Sequence, residues 1–126
     1  MTSALMSISS GPDLCFDVAT DFMKRNKKGP FFVYYAFNLV HAPFVATPLE
    51  KKPKNKYAAM VRYMDHLMGK MVAFLEKEGL RKNTIIIWTT DNGSPGNTTN
   101  KLAGRKVRGG KTKTTENGID APFIVS

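Results

Sequence analysis

The sequence predicts an α/β fold, a fragment of a three-layer sandwich in which a mostly parallel sheet is flanked by helices. Two continuous apolar runs, residues 31–37 and 84–90, are separated by a long amphipathic segment over residues 57–78. Apolar runs of this kind are typical of strands that are buried on both faces. A strand, a helix and a second strand in this order predict a parallel pair joined by a right-handed crossover.

The first predicted element is a helix over residues 13–27, because its apolar side chains recur at helical spacing. They are Cys15, Val18, Ala19, Phe22 and Met23. Basic residues near its end suit the negative end of the helix dipole, and Gly29-Pro30 ends it. The same pattern predicts that Cys15 is a buried packing residue. Since Cys15 is the only cysteine, an internal disulfide is impossible.

The second predicted helix covers residues 57–78 and carries one apolar stripe. The stripe consists of Met60, Val61, Met64, Leu67, Met68, Met71, Val72 and Leu75. Its methionines favour core packing over a pliable binding face, and Gly79 is the expected residue just after the helix. Prolines predict a loop over residues 38–55, and glycines and polar residues predict another over 94–118. Residues 122–126 resemble the start of a further strand.

Lys and Arg outnumber Asp and Glu by 19 to 10, which gives a net charge of +9. Part of the excess is concentrated in residues 101–113, within a stretch that has no acid between Asp91 and Glu116. A solvated basic loop and an anion site are equally compatible with this pattern. We expect no nucleic-acid partner, because the stretch lacks interleaved aromatic residues. We also expect no membrane partner, since no apolar run approaches about 20 residues.

Polar side chains follow both predicted strands, at the positions where ligands gather in α/β sheets. His41 follows the first strand, and Asp91 and Asn92 directly follow the second. Carboxylate and amide oxygens suit calcium or magnesium. The same residues are also compatible with an ordinary Asp-Asn-Gly turn and with a hydrogen-bonding loop histidine.

The third candidate position is Lys111, which follows Gly109 and Gly110. Paired glycines let a backbone approach a ligand closely, and the ammonium group can meet an anionic oxygen. Flexible surface loops have similar sequences. The order of the three positions along an α/β pattern is more specific than any of them alone.

In that order, the motifs resemble those of the sulfatase family, within the alkaline-phosphatase-like superfamily. The resemblance covers nearly the whole chain and includes Pro30-Phe31-Phe32-Val33-Tyr34-Tyr35, Thr90-Asp91-Asn92-Gly93, Arg108-Gly109-Gly110-Lys111 and Gly118-Ile119-Asp120-Ala121-Pro122. It implies that Asp91 and Asn92 bind a divalent cation, usually calcium. It also implies that His41 and Lys111 are catalytic residues that contact the sulfate group. Val40 stands where the family usually has proline.

The resemblance further implies a formylglycine nucleophile, made from a cysteine or serine in a Cys/Ser-x-Pro/Ala-x-Arg motif. Cys15 does not lie in such a motif, and no serine has an arginine four residues on. We therefore expect residues 1–126 to be a partial catalytic domain, without the nucleophile-bearing part, two further metal-binding aspartates and the C-terminal subdomain. Alone, it is expected neither to bind calcium strongly nor to hydrolyse sulfate esters.

The function implied for the complete enzyme is metal-dependent hydrolysis of sulfate esters in a sulfated small molecule or carbohydrate. One alternative is a phosphodiesterase or phosphonate hydrolase of the same superfamily. Another is a non-catalytic truncated homologue that binds anions. The family suggests a periplasmic, secreted or lysosomal location, although residues 1–6 do not have the pattern of a secretory signal.

Overall fold

The computed structural model describes residues 11–126, in two compact units. The first unit ends at Thr84, and the second runs from Ile85 to Ser126. Residues 1–6, for which no secretory signal is predicted, lie outside the described residues. No helix in the described part of the chain is long and apolar enough to cross a membrane.

Two helices form the core of the first unit. Helix α1 covers Gly11–Asn26 and helix α2 covers Lys56–Lys77, so both predicted helices are confirmed. The buried apolar side chains that they contribute are Phe16, Ala19, Met23, Ala59, Met60, Tyr63, Leu67, Met71 and Leu75. The Tyr63 hydroxyl also donates a hydrogen bond to the Asp13 carboxylate, which joins α2 to α1.

The face that α1 buries differs from the predicted one. Cys15 is exposed, so its prediction as a packing residue is wrong. Val18 is 62% exposed as well, whereas Phe16 and Met23 are buried. The helix carries apolar side chains on two faces, and helical spacing alone does not determine which of them meets α2.

Both ends of α2 are capped. The Asn55 side chain accepts a hydrogen bond from the Ala58 amide at 3.0 Å, which satisfies a free amide of the first turn. At the other end, Gly79 has a φ of +72°. The Leu80 amide then donates to the Leu75 carbonyl oxygen at 2.8 Å, as in a Schellman motif. The prediction that Gly79 follows the helix is confirmed.

Residues 31–37 do not form the predicted central strand. Within residues 11–126 they have no strand partner. Exposure alternates along the segment: Phe32 is 85% and Tyr34 84% exposed, whereas Tyr35 and Phe37 are half-buried. The prediction of burial on both faces is therefore wrong. An apolar run indicates that a segment can pair, but the run does not specify the strand that it pairs with.

The second unit contains four short strands and one helical turn. They are β1 (Ile87–Thr89), β2 (Thr99–Leu102), β3 (Arg105–Arg108), α3 (Glu116–Ile119) and β4 (Phe123–Val125). Strand β4 confirms the predicted last strand, but it pairs antiparallel with β1, with Trp88 opposite Ile124. The second pair, β2 with β3, is antiparallel too. The predicted mostly parallel sheet is thus not found in the described part of the chain, because apolar content does not fix strand direction.

Strands β2 and β3 form a hairpin inside the predicted loop. Ala103 and Gly104 connect them with φ angles of +48° and +81°, as a two-residue type I′ turn requires. Ala-Gly is a weaker signal for this turn than Asn-Gly, and the strands bury no apolar face. Sequence patterning therefore missed the hairpin.

Candidate functional site

Asp91 and Asn92 lie in the turn that follows β1. The Thr90 hydroxyl donates a hydrogen bond to the Asn92 carbonyl oxygen at 3.1 Å, which holds the backbone of this turn. Asp91 is exposed and Asn92 is half-buried. Their carboxylate and amide oxygens fit a hard divalent cation in chemical kind. Among residues 11–126, no group of three or more His, Cys, Asp or Glu side chains could hold a metal ion.

The backbone of Lys111 is fixed beside the chain that leaves this turn. The Lys111 amide donates a hydrogen bond to the Ser94 carbonyl oxygen at 3.0 Å. The Gly109 amide donates to the Thr98 carbonyl oxygen at 2.9 Å. Two hydrogen bonds therefore join the segment after Asp91 to the segment that carries Lys111.

Glycines allow these segments to approach backbone to backbone. The Gly93 amide donates to the Gly118 carbonyl oxygen at 3.0 Å. A side chain on Gly93 would collide with the Asn117 carbonyl oxygen, and one on Gly109 would collide with that of Pro95. Both positions consequently require the absence of a Cβ atom. Gly93 and Gly109 thus allow the segment after Asp91 to lie against the segment that carries Lys111.

Lys111 and Thr112 occupy a tight turn. The Lys113 amide closes it with a hydrogen bond to the Gly110 carbonyl oxygen at 2.9 Å. Thr112 has a φ of +77°, a left-handed conformation that is uncommon for a β-branched residue. The chain thus holds an unfavourable backbone conformation directly after Lys111.

His41 lies in the first unit, in the loop before α2, and its side chain is exposed. Its Nδ1 atom is 2.8 Å from the Ala42 carbonyl oxygen. Because a carbonyl oxygen only accepts, this contact assigns the proton to Nδ1 and leaves Nε2 for a ligand. The peptide bonds Leu39-Val40 and Ala42-Pro43 are cis.

The loop that carries His41 is anchored to α2. The Arg62 guanidinium donates two hydrogen bonds to the Glu50 carboxylate, at 2.7 and 2.9 Å. These hydrogen bonds hold the pKa of Glu50 below its usual range. Thr47 is buried, and its amide and carbonyl pair with those of Glu50 at 3.1 Å or less. The Phe44 ring also meets the Tyr57 ring edge-on, with 5.3 Å between centroids.

Three of the four predicted site residues therefore lie in one loop cluster. Asp91, Asn92 and Lys111 are together in the second unit, and His41 is in the first. Sequence patterning missed the hydrogen bond between Ser94 and Lys111 and the left-handed conformation of Thr112. No signal in the sequence distinguishes Ser94, because its backbone oxygen makes the contact.

Comparison with known proteins identifies the family of the chain. The family model described as Sulfatase matches residues 12–126, a range that includes His41, Asp91, Asn92 and Lys111. The chain belongs to the sulfatase family.

Individual relatives support the same assignment. This sulfatase chain is 33% identical over 115 residues to steryl-sulfatase of Rattus norvegicus. The alignment covers 85% of the chain and 20% of that protein. The chain is also 33% identical over 112 residues to N-acetylgalactosamine-6-sulfatase of Rattus norvegicus, covering 84% of the chain and 21% of that protein. The chain thus spans about a fifth of the length of these relatives.

A solved structure shares the fold of the chain. It is described as Ps i-CgsB in complex with k-i-k-neocarrahexaose, and it matches with a TM-score of 0.69 and 31% sequence identity. The match covers 90% of this chain and 27% of the other. Helices and strands are thus arranged as in part of a known structure.

Proposed function

We propose that this sulfatase chain forms part of a site that hydrolyses sulfate esters with the help of a divalent cation, calcium by preference. The main support is the hydrogen bond between the Lys111 amide and the Ser94 carbonyl oxygen. It fixes the backbone of a lysine beside Ser94, two residues after Asn92, so the ammonium group is carried on the segment next to the turn of Asp91 and Asn92. Such a combination suits an anionic group that also contacts a metal ion.

Each residue has a defined role in this proposal. The Lys111 ammonium pairs with a sulfate oxygen and offsets the negative charge there. His41 donates from Nδ1 to the Ala42 carbonyl oxygen, and in its imidazolium form Nε2–H would donate a second hydrogen bond to the leaving oxygen. A cation held by Asp91 and Asn92 would supply further positive charge to the sulfate group. The nucleophile must come from elsewhere, because the Cys/Ser-x-Pro/Ala-x-Arg motif does not occur in these 126 residues.

Sulfated carbohydrate is the proposed substrate class. The solved structure that matches the chain is described as a complex with a neocarrahexaose. The matched relatives include N-acetylgalactosamine-6-sulfatase, whose name denotes a sulfated sugar. Asp91 and Lys111 contact the sulfate end of such a substrate in this proposal, directly or through the cation.

Nuclear magnetic resonance on the isotopically labelled chain tests the proposal. Inorganic sulfate is expected to shift the amide signals of Ser94 and Lys111, and Lys111→Ala is expected to abolish the response. Lys113→Ala is the control, because Lys113 is an exposed lysine two residues away. A sulfate response that is the same in Lys111→Ala and in the unmodified chain would contradict the proposal.

The same titrations separate the proposal from the phosphodiesterase alternative. A methyl sulfate ester and a dimethyl phosphate diester are compared, each with and without calcium. Tighter binding of the sulfate ester is expected. Preferential binding of the phosphate diester, lost in Lys111→Ala, would favour the phosphodiesterase hypothesis instead.

A further inference from the structure

The hairpin of β2 and β3 carries positive charge on one face. In its antiparallel register, Thr99 lies opposite Arg108, and Lys101 lies opposite Lys106. Because side chains alternate along a strand and opposite residues share a face, these four side chains project from the same side of the hairpin. We call this side the basic face. The other side carries Asn100, Leu102, Arg105 and Val107.

The like charges of the basic face repel each other. Lys101 and Lys106 are directly opposite each other, where their Cβ atoms are about 5 Å apart and like charges repel. Both are exposed, and within residues 11–126 no carboxylate pairs with either of them. Arg108 donates from Nε to the Gly96 carbonyl oxygen at 3.0 Å, which orients its guanidinium group. An anionic ligand would relieve the repulsion between the two lysines.

The basic face is connected directly to the candidate sulfate site. The hydrogen bond from the Gly109 amide to the Thr98 carbonyl oxygen, 2.9 Å long, closes the base of the hairpin. Lys111 follows two residues after Gly109, and its own amide is bonded to Ser94. Rigid backbone contacts therefore link the lysine proposed to bind the reacting sulfate to a second set of cations.

The chemistry of the face favours a polysulfated sugar over a nucleic acid. No aromatic residue occurs between Trp88 and Phe123, so the hairpin offers no ring on which a base could stack. Lysine ammonium groups are compact charges that suit a sulfate oxygen. Alternate residues of a strand are about 7 Å apart, which separates Arg108 from the pair of Lys101 and Lys106 along the face, so successive anionic groups can each meet a cation.

We propose that the basic face binds sulfate groups of a sulfated polysaccharide that lie outside the reacting ester. This inference rests on the proposed function, because it assigns the polymer's reacting sulfate to Lys111. The chain should therefore bind polymeric sulfate esters with higher affinity than small ones.

Paired variants test the inference. The first is Lys101→Thr with Lys106→Thr, in which threonine keeps a high strand propensity. The matched control is Lys51→Thr with Lys52→Thr, which removes the same two charges from exposed positions in the first unit. The ligand is a heparin hexasaccharide, and its dissociation constant is measured by titration calorimetry at several salt concentrations.

We expect the hairpin variant to lose about tenfold in heparin affinity at low salt, since each exposed ion pair contributes a few-fold. Its salt dependence should also weaken, because fewer counterions are exchanged. The control should change little. Equal losses in the two variants would overturn the inference, since only net charge would then matter.

Three further measurements keep the outcomes distinct. The response of the Ser94 amide signal to inorganic sulfate tests the proposed function: it should be lost in Lys111→Ala and retained in the hairpin variant. Amide hydrogen exchange of Val107 shows whether the hairpin still forms, and slower exchange in the threonine variant is expected because the repulsion is removed. A single-stranded oligothymidylate of matched charge should bind more weakly than heparin. Equal or tighter binding of it through the same lysines would overturn the inference in favour of nucleic acid.

Discussion

The amide nitrogen of Lys111 donates a hydrogen bond to the carbonyl oxygen of Ser94 at 3.0 Å. Both atoms belong to the backbone, so the position of Lys111 does not depend on its own side chain. Removal of the ammonium group therefore tests its chemistry without displacing the loop. Displacement of the loop requires a change at the glycines that let the two backbones meet.

Gly109→Ala is expected to weaken sulfate binding by on the order of tenfold or more, equivalent to about 1.4 kcal/mol. The added methyl group would collide with the Pro95 carbonyl oxygen and move Lys111 away from Ser94. Calorimetric titration with inorganic sulfate measures the effect. Gly96→Ala is the control, because its nearest contact is an ordinary 3.8 Å. Equal affinities of the two variants would contradict this role of Gly109.

Thr112→Gly is expected to stabilise the second unit by about 1 kcal/mol. A left-handed conformation costs a side chain with a Cβ atom about 1–2 kcal/mol, which exceeds the entropy that glycine loses on folding. Urea unfolding, followed by the fluorescence of the single tryptophan, Trp88 in β1, measures the change. Thr114 has no positive φ, so Thr114→Gly should destabilise the unit or leave it unchanged. Stabilisation by both substitutions would show that the conformation of Thr112 is not the cause.

Leu67→Ala is expected to lower the free energy of unfolding of the first unit by about 2–5 kcal/mol. Leu67 is fully buried at 0% exposure, so the truncation leaves a cavity between the helices. Helical circular dichroism during urea unfolding measures the loss. Leu14→Ala removes the same atoms from a side chain that is 59% exposed, and its effect should stay below about 0.5 kcal/mol. Comparable losses of unfolding free energy in the two variants would show that Leu67 is not a core residue.

Acid should weaken the first unit through Glu78. The Lys27 ammonium lies 2.8 Å from its carboxylate, and this hydrogen bond lowers the pKa of Glu78 from its usual 4.5. Since the folded pKa is lowered, the stabilisation is present above the ordinary pKa and is lost as pH falls through the lowered value. Glu78→Gln should therefore lower the melting temperature at neutral pH but have little effect at about pH 3. Glu76→Gln, at an exposed position of α2, is the control, and a Glu78→Gln effect that is the same at both pH values would contradict the expectation.

Calcium should bind the isolated 126-residue chain only weakly, with a dissociation constant of roughly millimolar or higher. Asp91 and Asn92 supply two side-chain oxygens, fewer than the six or more ligands that calcium takes. Chemical shifts of the Gly93 amide measure binding, and Asp91→Ala should abolish the change. Asp120→Ala, at an exposed acid of the same unit, is the control. No hydrolysis of para-nitrophenyl sulfate is expected. Metal-dependent turnover by this chain would contradict that expectation.

Sequence patterning was reliable where local interactions decide the structure. Helical spacing predicted α1 and α2, and Gly79 marked the end of α2 because a left-handed residue closes a helix there. It was unreliable for strand pairing. Residues 31–37 and β1 have similar apolar content, yet only β1 is paired, and its partner β4 runs antiparallel to it.

By itself, the sequence determined the two helices, the family resemblance and the side chains Asp91, Asn92 and Lys111. These depend on residue type and local spacing, which the linear order contains. Only the tertiary structure decided that Cys15 is exposed, that Lys101 faces Lys106 and that Lys111 is fixed beside Ser94. Each of these depends on backbone contacts between segments that are distant in sequence or on a choice between apolar faces. Neither hydrophobicity nor spacing encodes such contacts.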